Sequence, residues 1–101
     1  MKIVKDTTAE QVIFTLIGKL DTNTAPELEK EINGLKTEQL HKLIFDITEL
    51  SYVSSAGLRI ILMSHKKMLG LQGQFTIMHP TPMVEEVFEM TGFSDILDII
   101  K

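Results

Sequence analysis

The chain has 101 residues, 44% hydrophobic and 24% charged, with a formal net charge of -4; this composition fits one globular domain with one core and excludes a disordered chain or two full domains. The acidic balance, with no basic cluster larger than the pair Lys66-Lys67, argues against direct binding to nucleic acid or to an anionic membrane surface. The absence of cysteine excludes a disulfide framework, a cysteine nucleophile and thiolate metal sites.

Lys2 to Lys5 alternates polar and apolar residues and predicts a short edge strand. Val12, Phe14 and Leu16 interleave with Ile13, Thr15 and Ile17, which predicts a longer strand partly buried on both faces and ended by Gly18. Thr24-Ala25-Pro26-Glu27 then opens a helix. Thr24 is placed to cap it, Glu27 to reach back, and Pro26 falls in the first turn, where a missing N–H does no harm. Leu28, Ile32 and Leu35 form its apolar stripe. The nearly continuous apolar run from Lys42 to Ile47 predicts a central strand.

A second helix is expected from about Ser55 to Leu69, with Gly70 as its stop. Gln74 to Met78 predicts the next strand and His79 to Pro82 a turn. Met83 to Met90 predicts a third helix, with Val84, Val87 and Phe88 inward and Gly92 closing it. Ile96 to Ile100 predicts either an edge strand or one helical turn followed by a strand. Strands alternating with helices over short connections predict an α/β domain spanning residues 1–101, with about four to five strands in a mixed sheet and three to four helices over it. No apolar run approaches the roughly 20 residues that span a bilayer, and the first residues lack a signal-peptide core, so a soluble, cytoplasmic protein is expected.

Ser54-Ser55-Ala56-Gly57-Leu58 lies where the second helix begins. A helix N-terminus carries unpaired N–H groups and a partial positive charge, so it takes a serine cap or an anion such as a phosphate. Composition alone favours the cap. With Leu58 at the centre of one helix face, Ile61, Leu62, Met68, Leu69 and His65 fall within about 80° of it at 100° per residue and form the expected core face. Arg59, Ile60, Met63 and Lys67 fall opposite. That face either packs under a neighbouring element or serves as a partner-docking surface. Ser55 sits at its margin, where a phosphate would add about -1.5 to -2 charges that the helix tolerates and a partner would not.

The loop Gly18 to Thr24 should open at the same end of the sheet if its strand is parallel to the one before the serines. Asp21 would then approach Ser55, either as an Asx turn before its own helix or to orient the serine hydroxyl or a kinase-held metal. A serine nucleophile would need a general base, yet none of His41, His65 and His79 is placed near Ser55. There is no metal-binding histidine spacing and no Gly-rich phosphate loop, so no cofactor and no catalytic activity are expected.

Three segments together resemble the anti-sigma factor antagonists, the bacterial STAS-domain proteins. Gly18-Lys19-Leu20-Asp21-Thr22-Asn23-Thr24-Ala25 resembles their Gly-x-Leu-Asp-x-x-Thr-Ala opening. Asp46 to Leu58 resembles the central signature, in which a strand end leads to a serine, one further residue and then Gly-Leu. Met83 to Phe93 resembles the third helix and its close. The resemblance implies a STAS-type fold and a regulatory protein without catalysis of its own. Such a protein, when unphosphorylated, binds an anti-sigma factor that is also a serine kinase and so frees the sigma factor. The kinase uses ATP and magnesium to phosphorylate the antagonist, and a serine phosphatase reverses this. Carried over by position, the phosphoacceptor is Ser55 and the supporting aspartate is Asp21. The partner-binding surface takes in Asp21, Thr22, Ser54, Arg59, Ile60 and Met63. Many members have Asp directly before the acceptor; here that residue is Ser54, which stands as the alternative acceptor. The competing expectation is a scaffold or accessory subunit of the same fold with no phosphoswitch, of the stressosome or lipid-transport kind. With no coiled-coil seam, a monomer or weak dimer is expected.

Overall fold

The computed structural model describes residues 1–101. In chain order the elements are β1 (Lys2–Thr7), β2 (Gln11–Leu20), α1 (Ala25–Asn33), β3 (Lys42–Asp46), β4 (Leu50–Val53), α2 (Ser55–Gly70), β5 (Gln74–Met78), α3 (Pro82–Thr91), a 3-10 turn (Phe93–Asp95) and β6 (Asp98–Ile100). The sheet is mixed, in the order β1-β2-β3-β5-β6. β1 is antiparallel to β2, and the remaining neighbours are parallel. Six strands form where about four to five were expected.

The additional strand is β4. It pairs in parallel with the far end of β2, beyond a register shift between Gly18 and Lys19. Gly18 therefore does not end β2. Its φ of 110° lets the strand kink there and continue to Leu20 on a new partner. The Gly18 carbonyl accepts the Ser51 hydroxyl at 3.0 Å, and its N–H donates to Glu49 at 3.0 Å, so the kink is hydrogen-bonded on both sides.

Strand alternation assigns the two sheet faces. Register places Val12 and Phe14 of β2 beside Leu43 and Phe45 of β3, and these beside Phe75 and Ile77 of β5. All six are buried, and they share one core with Leu28 and Ile32 of α1, Ile61 and Met68 of α2, and Val84 and Phe88 of α3. Phe45 stands edge-on between Phe14 and Phe75, with centroids 6.0 and 4.8 Å away, each contact worth about 0.5–1.5 kcal/mol beyond its buried area. At the sheet edge, Asp98 of β6 accepts from the Thr76 hydroxyl at 2.8 Å and from the Gln74 amide at 2.9 Å, which satisfies the buried Thr76.

Two helix ends differ from expectation. Gly70 is still helical, and the chain turns only at Gln72, with φ 58°. At α1 the Thr24–Glu27 capping box does not form. The Thr24 hydroxyl donates instead to the Lys19 carbonyl at 2.8 Å, and Asp21 takes over the free N–H groups. The third helix ends at Gly92 as expected, and the last segment is one 3-10 turn followed by an edge strand.

Candidate functional site

β2 and β4 run parallel and pair Leu20 with Val53. The next residue of each strand therefore leaves the sheet at the same end: Asp21 from β2 and Ser54 from β4. The Ser54 N–H donates to the Leu20 carbonyl at 2.9 Å and ties the two exits together. Gly57 closes the corner. A Cβ there would lie 2.7 Å from Leu20 Cγ and 2.9 Å from the Leu20 carbonyl oxygen, so only glycine lets the first turn of α2 seat against the end of β2.

The two serines occupy different positions in this corner. Ser54 is extended (φ -92°, ψ 174°), is half-buried and caps α2. Its hydroxyl accepts the Gly57 N–H at 3.3 Å, and its carbonyl accepts the Leu58 N–H at 2.9 Å. Ser55 is the first helical residue. It is exposed, and its hydroxyl makes no hydrogen bond. The N–H groups of Ser55 and Ala56 lie in the first turn, where the helix offers no carbonyl partner, so positive charge is concentrated beside a free hydroxyl. Removing the cap tests the division: Ser54→Ala should cost about 1 kcal/mol in urea unfolding, while Ser55→Ala should leave stability nearly unchanged.

Asp21 sits across the corner but does not hydrogen-bond either serine. Its Oδ1 accepts the Asn23 N–H at 2.9 Å and the Thr24 N–H at 3.1 Å, and lies 3.2 Å from the Thr24 hydroxyl. The aspartate thus forms the Asx turn that starts α1. Desolvation pushes its carboxyl pKa up, but the Thr24 and Asn23 N–H groups, the Thr24 hydroxyl and the amino-terminal ammonium outweigh it and hold the pKa below the ordinary aspartate value. A depressed folded-state pKa means that the ionised carboxylate stabilises the fold above the unfolded pKa of about 3.9, and that this is lost as pH falls through the folded value. Asp21→Asn should therefore be less stable than wild type at neutral pH, and the gap should close on acidification below about pH 4. Urea midpoints of both proteins across that range check it, and a gap independent of pH counts against the charged Asx turn.

The outer face of α2 differs from the one predicted. Ile60 is fully buried in the core, with Gly57, Ile61, Ser64 and Met68, and so is not on the surface. Leu69, expected in the core, is 60% exposed. The buried face is turned by about 90° from the Leu58-centred one. Ser64 is what hid this: a polar residue reads as outward, yet its hydroxyl donates to the Ile60 carbonyl at 2.8 Å and is buried with that hydrogen bond made. Arg59 is exposed, 3.7 Å from Glu29 of α1. Met63 is half-buried and packs partly on the core. Arg59 and Met63 line a shallow groove with Leu62 and Lys66, two residues the sequence reading left out of this surface. Their signal was helical spacing counted from the serine: Ser55, Arg59, Leu62 and Lys66 stand at i, i+4, i+7 and i+11. Thr22 is exposed beside Asp21.

The histidines lie elsewhere. His41 precedes β3, His65 packs near Phe75 at 6.4 Å between centroids, and His79 contacts the Lys101 carbonyl at 3.2 Å. No group of three or more His, Asp or Glu side chains is placed to hold a metal ion. No helix is long and apolar enough to cross a membrane.

Comparison with known proteins places the whole chain in a family. The STAS domain model matches residues 2–101. The candidate anti-sigma factor antagonist BtrV of Bordetella bronchiseptica is 32% identical over 99 residues, covering 98% of this chain and 85% of BtrV. The anti-sigma-B factor antagonist of Listeria monocytogenes is 26% identical over 96 residues, covering 95% of this chain and 84% of that protein. In fold, the chain superimposes on the unphosphorylated anti-sigma factor antagonist SpoIIAA with a TM-score of 0.84 at 20% identity, covering 99% of this chain and 89% of SpoIIAA. The phosphorylated form of that Bacillus protein gives 0.77, covering 99% and 92%. The chain belongs to the STAS domain family, among the anti-sigma factor antagonists.

Proposed function

We propose that this protein is an anti-sigma factor antagonist switched by phosphorylation of Ser55. Unphosphorylated, it binds an anti-sigma factor that is also a serine kinase and so releases the sigma factor. The kinase transfers phosphate from ATP to the Ser55 hydroxyl, the complex dissociates, and a serine phosphatase restores the binding form. The chain itself supplies the acceptor and the docking surface.

One observation carries this reading: at the start of α2 the cap is made by Ser54, which leaves the Ser55 hydroxyl exposed and without a hydrogen bond. A kinase can take up such a hydroxyl without unmaking the helix cap. The acceptor heads the surface made by Arg59, Leu62, Met63 and Lys66, with Asp21 and Thr22 across the corner. A phosphate on Ser55 would sit at a helix N-terminus, which favours it by about 0.3–1 kcal/mol, so the modification alters the surface and spares the fold.

The test is phosphopeptide mapping after incubation with a candidate anti-sigma kinase, ATP and magnesium. One phosphate per chain on Ser55 is expected. Full phosphorylation of Ser55→Ala would overturn the assignment, and phosphate on Ser54 in the wild type would move it by one residue.

A further inference from the structure

The sheet ends in two strands of unequal length. β6 has three residues; β1 has six and pairs with β2 alone, in continuous register and without proline. The outer edge of β1 therefore carries a row of N–H and C=O groups with no partner strand, a template for another strand. Lys2, Val4, Lys5, Asp6 and Thr7 are all exposed, Val4 by 44%. Ile3, Lys5 and Thr7 stand across from the core residues Leu16, Phe14 and Val12 of β2. Lys2, Val4 and Asp6 alternate with them on the opposite face, across from Ile17, Thr15 and Ile13. Neither Lys2 nor Asp6 has a counter-charge across β2, and neither takes part in the chain's two ion pairs, Arg59–Glu29 and Lys101–Glu85.

This strand is complementary to itself. Laid antiparallel on a second copy about Val4, it sets Val4 opposite the second copy's Val4, Lys2 opposite its Asp6 and Asp6 opposite its Lys2. Both ion pairs then flank one apolar pair on a single face, with directly opposite Cβ atoms about 4.5–5.5 Å apart. On the other face Ile3 stands opposite Lys5, whose stem covers it while the ammonium stays in water. The neighbouring symmetric registers are worse. Sliding the partner by two residues one way sets Lys5 opposite Lys5 and Val4 opposite Asp6. Sliding it the other way sets Lys2 opposite Val4 and leaves Asp6 unopposed.

We propose that β1 pairs antiparallel with β1 of a second copy of this chain, in the register centred on Val4, and joins the two sheets into one. The self-match in charge is what names a second copy as the occupant. The contact is isologous, closes as a two-fold dimer and covers both β1 edges. One short strand pair buries less than a standard interface, and the net charge of -4 on each copy opposes it, so the dimer is weak. No residue of the surface assigned to the anti-sigma factor lies on β1, so failure of either reading leaves the other standing.

Sedimentation equilibrium and cysteine cross-linking test it. The weight-average mass should lie near 11.4 kDa at about 10 µM and rise well above it by about 1 mM, in the range of weak association. Lys2→Glu and Asp6→Lys should each weaken dimerisation about tenfold, since each sets like charges opposite one another at two places. The double variant Lys2→Glu/Asp6→Lys restores both pairs with the charges exchanged and should dimerise like wild type. The chain has no cysteine of its own, so a single introduced thiol reports the register. Under copper–phenanthroline oxidation, Val4→Cys lies opposite its own equivalent and should form a disulfide-linked dimer. Thr7→Cys keeps both charge pairs, but its equivalent lies six residues along the paired strand, about 20 Å away and beyond disulfide reach. It should cross-link at least about tenfold more slowly. Circular dichroism verifies the fold of each variant. A wild type that stays at the monomer mass throughout overturns the proposal. So does association that either single charge variant leaves unchanged, that the double variant fails to recover, or that cross-links Thr7→Cys as fast as Val4→Cys.

Discussion

Ser55→Asp is expected to weaken capture of the anti-sigma factor about 100-fold, close to 2.7 kcal/mol, while leaving the fold as stable as wild type or slightly more so. The two halves of this expectation have separate causes. For the fold, a carboxylate at the first helical position faces the unpaired N–H groups of Ser55 and Ala56 and gains about 0.3–1 kcal/mol from them. The Ser54 cap, with its 3.3 Å bond from Gly57, is untouched. For binding, the same carboxylate stands where a partner must close over the head of α2. A charge there must be stripped of water or held against the partner's own charges, and either costs several kcal/mol at a packed interface. Ser55→Ala should do the reverse: it cannot be phosphorylated and stays bound in the presence of kinase and ATP. Pull-down on a candidate kinase, with thermal unfolding of the same samples, separates the outcomes. Equal capture of wild type and Ser55→Asp would support the scaffold reading in place of the switch. Lost capture together with a lowered melting temperature would point to damage at the helix start.

The corner that carries this prediction was only partly legible in the sequence. The start of α2 and the whole of β5 follow directly from their patterns, because a cap followed by a periodic run and a bounded apolar run are local signals. β4 was not legible. Its four residues read buried, exposed, exposed, buried, an i, i+3 spacing that suits a helical turn and not the alternation of a strand. It becomes a strand only because Gly18 shifts β2 onto it, and that is tertiary information. Composition likewise could not divide Ser54 from Ser55, since either is a good cap. The backbone decides, with Ser54 extended and Ser55 helical. Buried Ser64 and Gly57 carry no hydrophobic signal, so the apolar pattern of α2 reads as centred on Leu58 and puts Ile60 on the outer face. For β4 and for Gly57 the missing information is a close approach between elements far apart in the chain.

Gly57→Ala is expected to show how much the site depends on the closest of these approaches. The added Cβ would stand 2.7 Å from Leu20 Cγ and 2.9 Å from the Leu20 carbonyl oxygen. The side chain could be moved only by disturbing the core, since Leu20 is fully buried. The carbonyl cannot turn away without breaking the 2.9 Å bond it accepts from Ser54. Overpacking of this kind costs typically 1–3 kcal/mol, and near the middle of that range, about 2 kcal/mol, the melting temperature should fall by roughly 10 °C. The damage should also be specific. The Leu20–Ser54 bond joins the Asp21 turn to the serine turn, so the variant should lose partner capture beyond what its folded fraction explains, although every proposed contact residue is present. Gly70→Ala is the matched control on the same helix: nothing lies within 4 Å of its added Cβ, and its backbone is already helical. It should be neutral or up to about 1 kcal/mol more stable. If Gly57→Ala instead unfolds and binds like Gly70→Ala, the Gly-Leu pair after the serine marks helix sequence alone, and the tight corner is not what holds Ser55 in place.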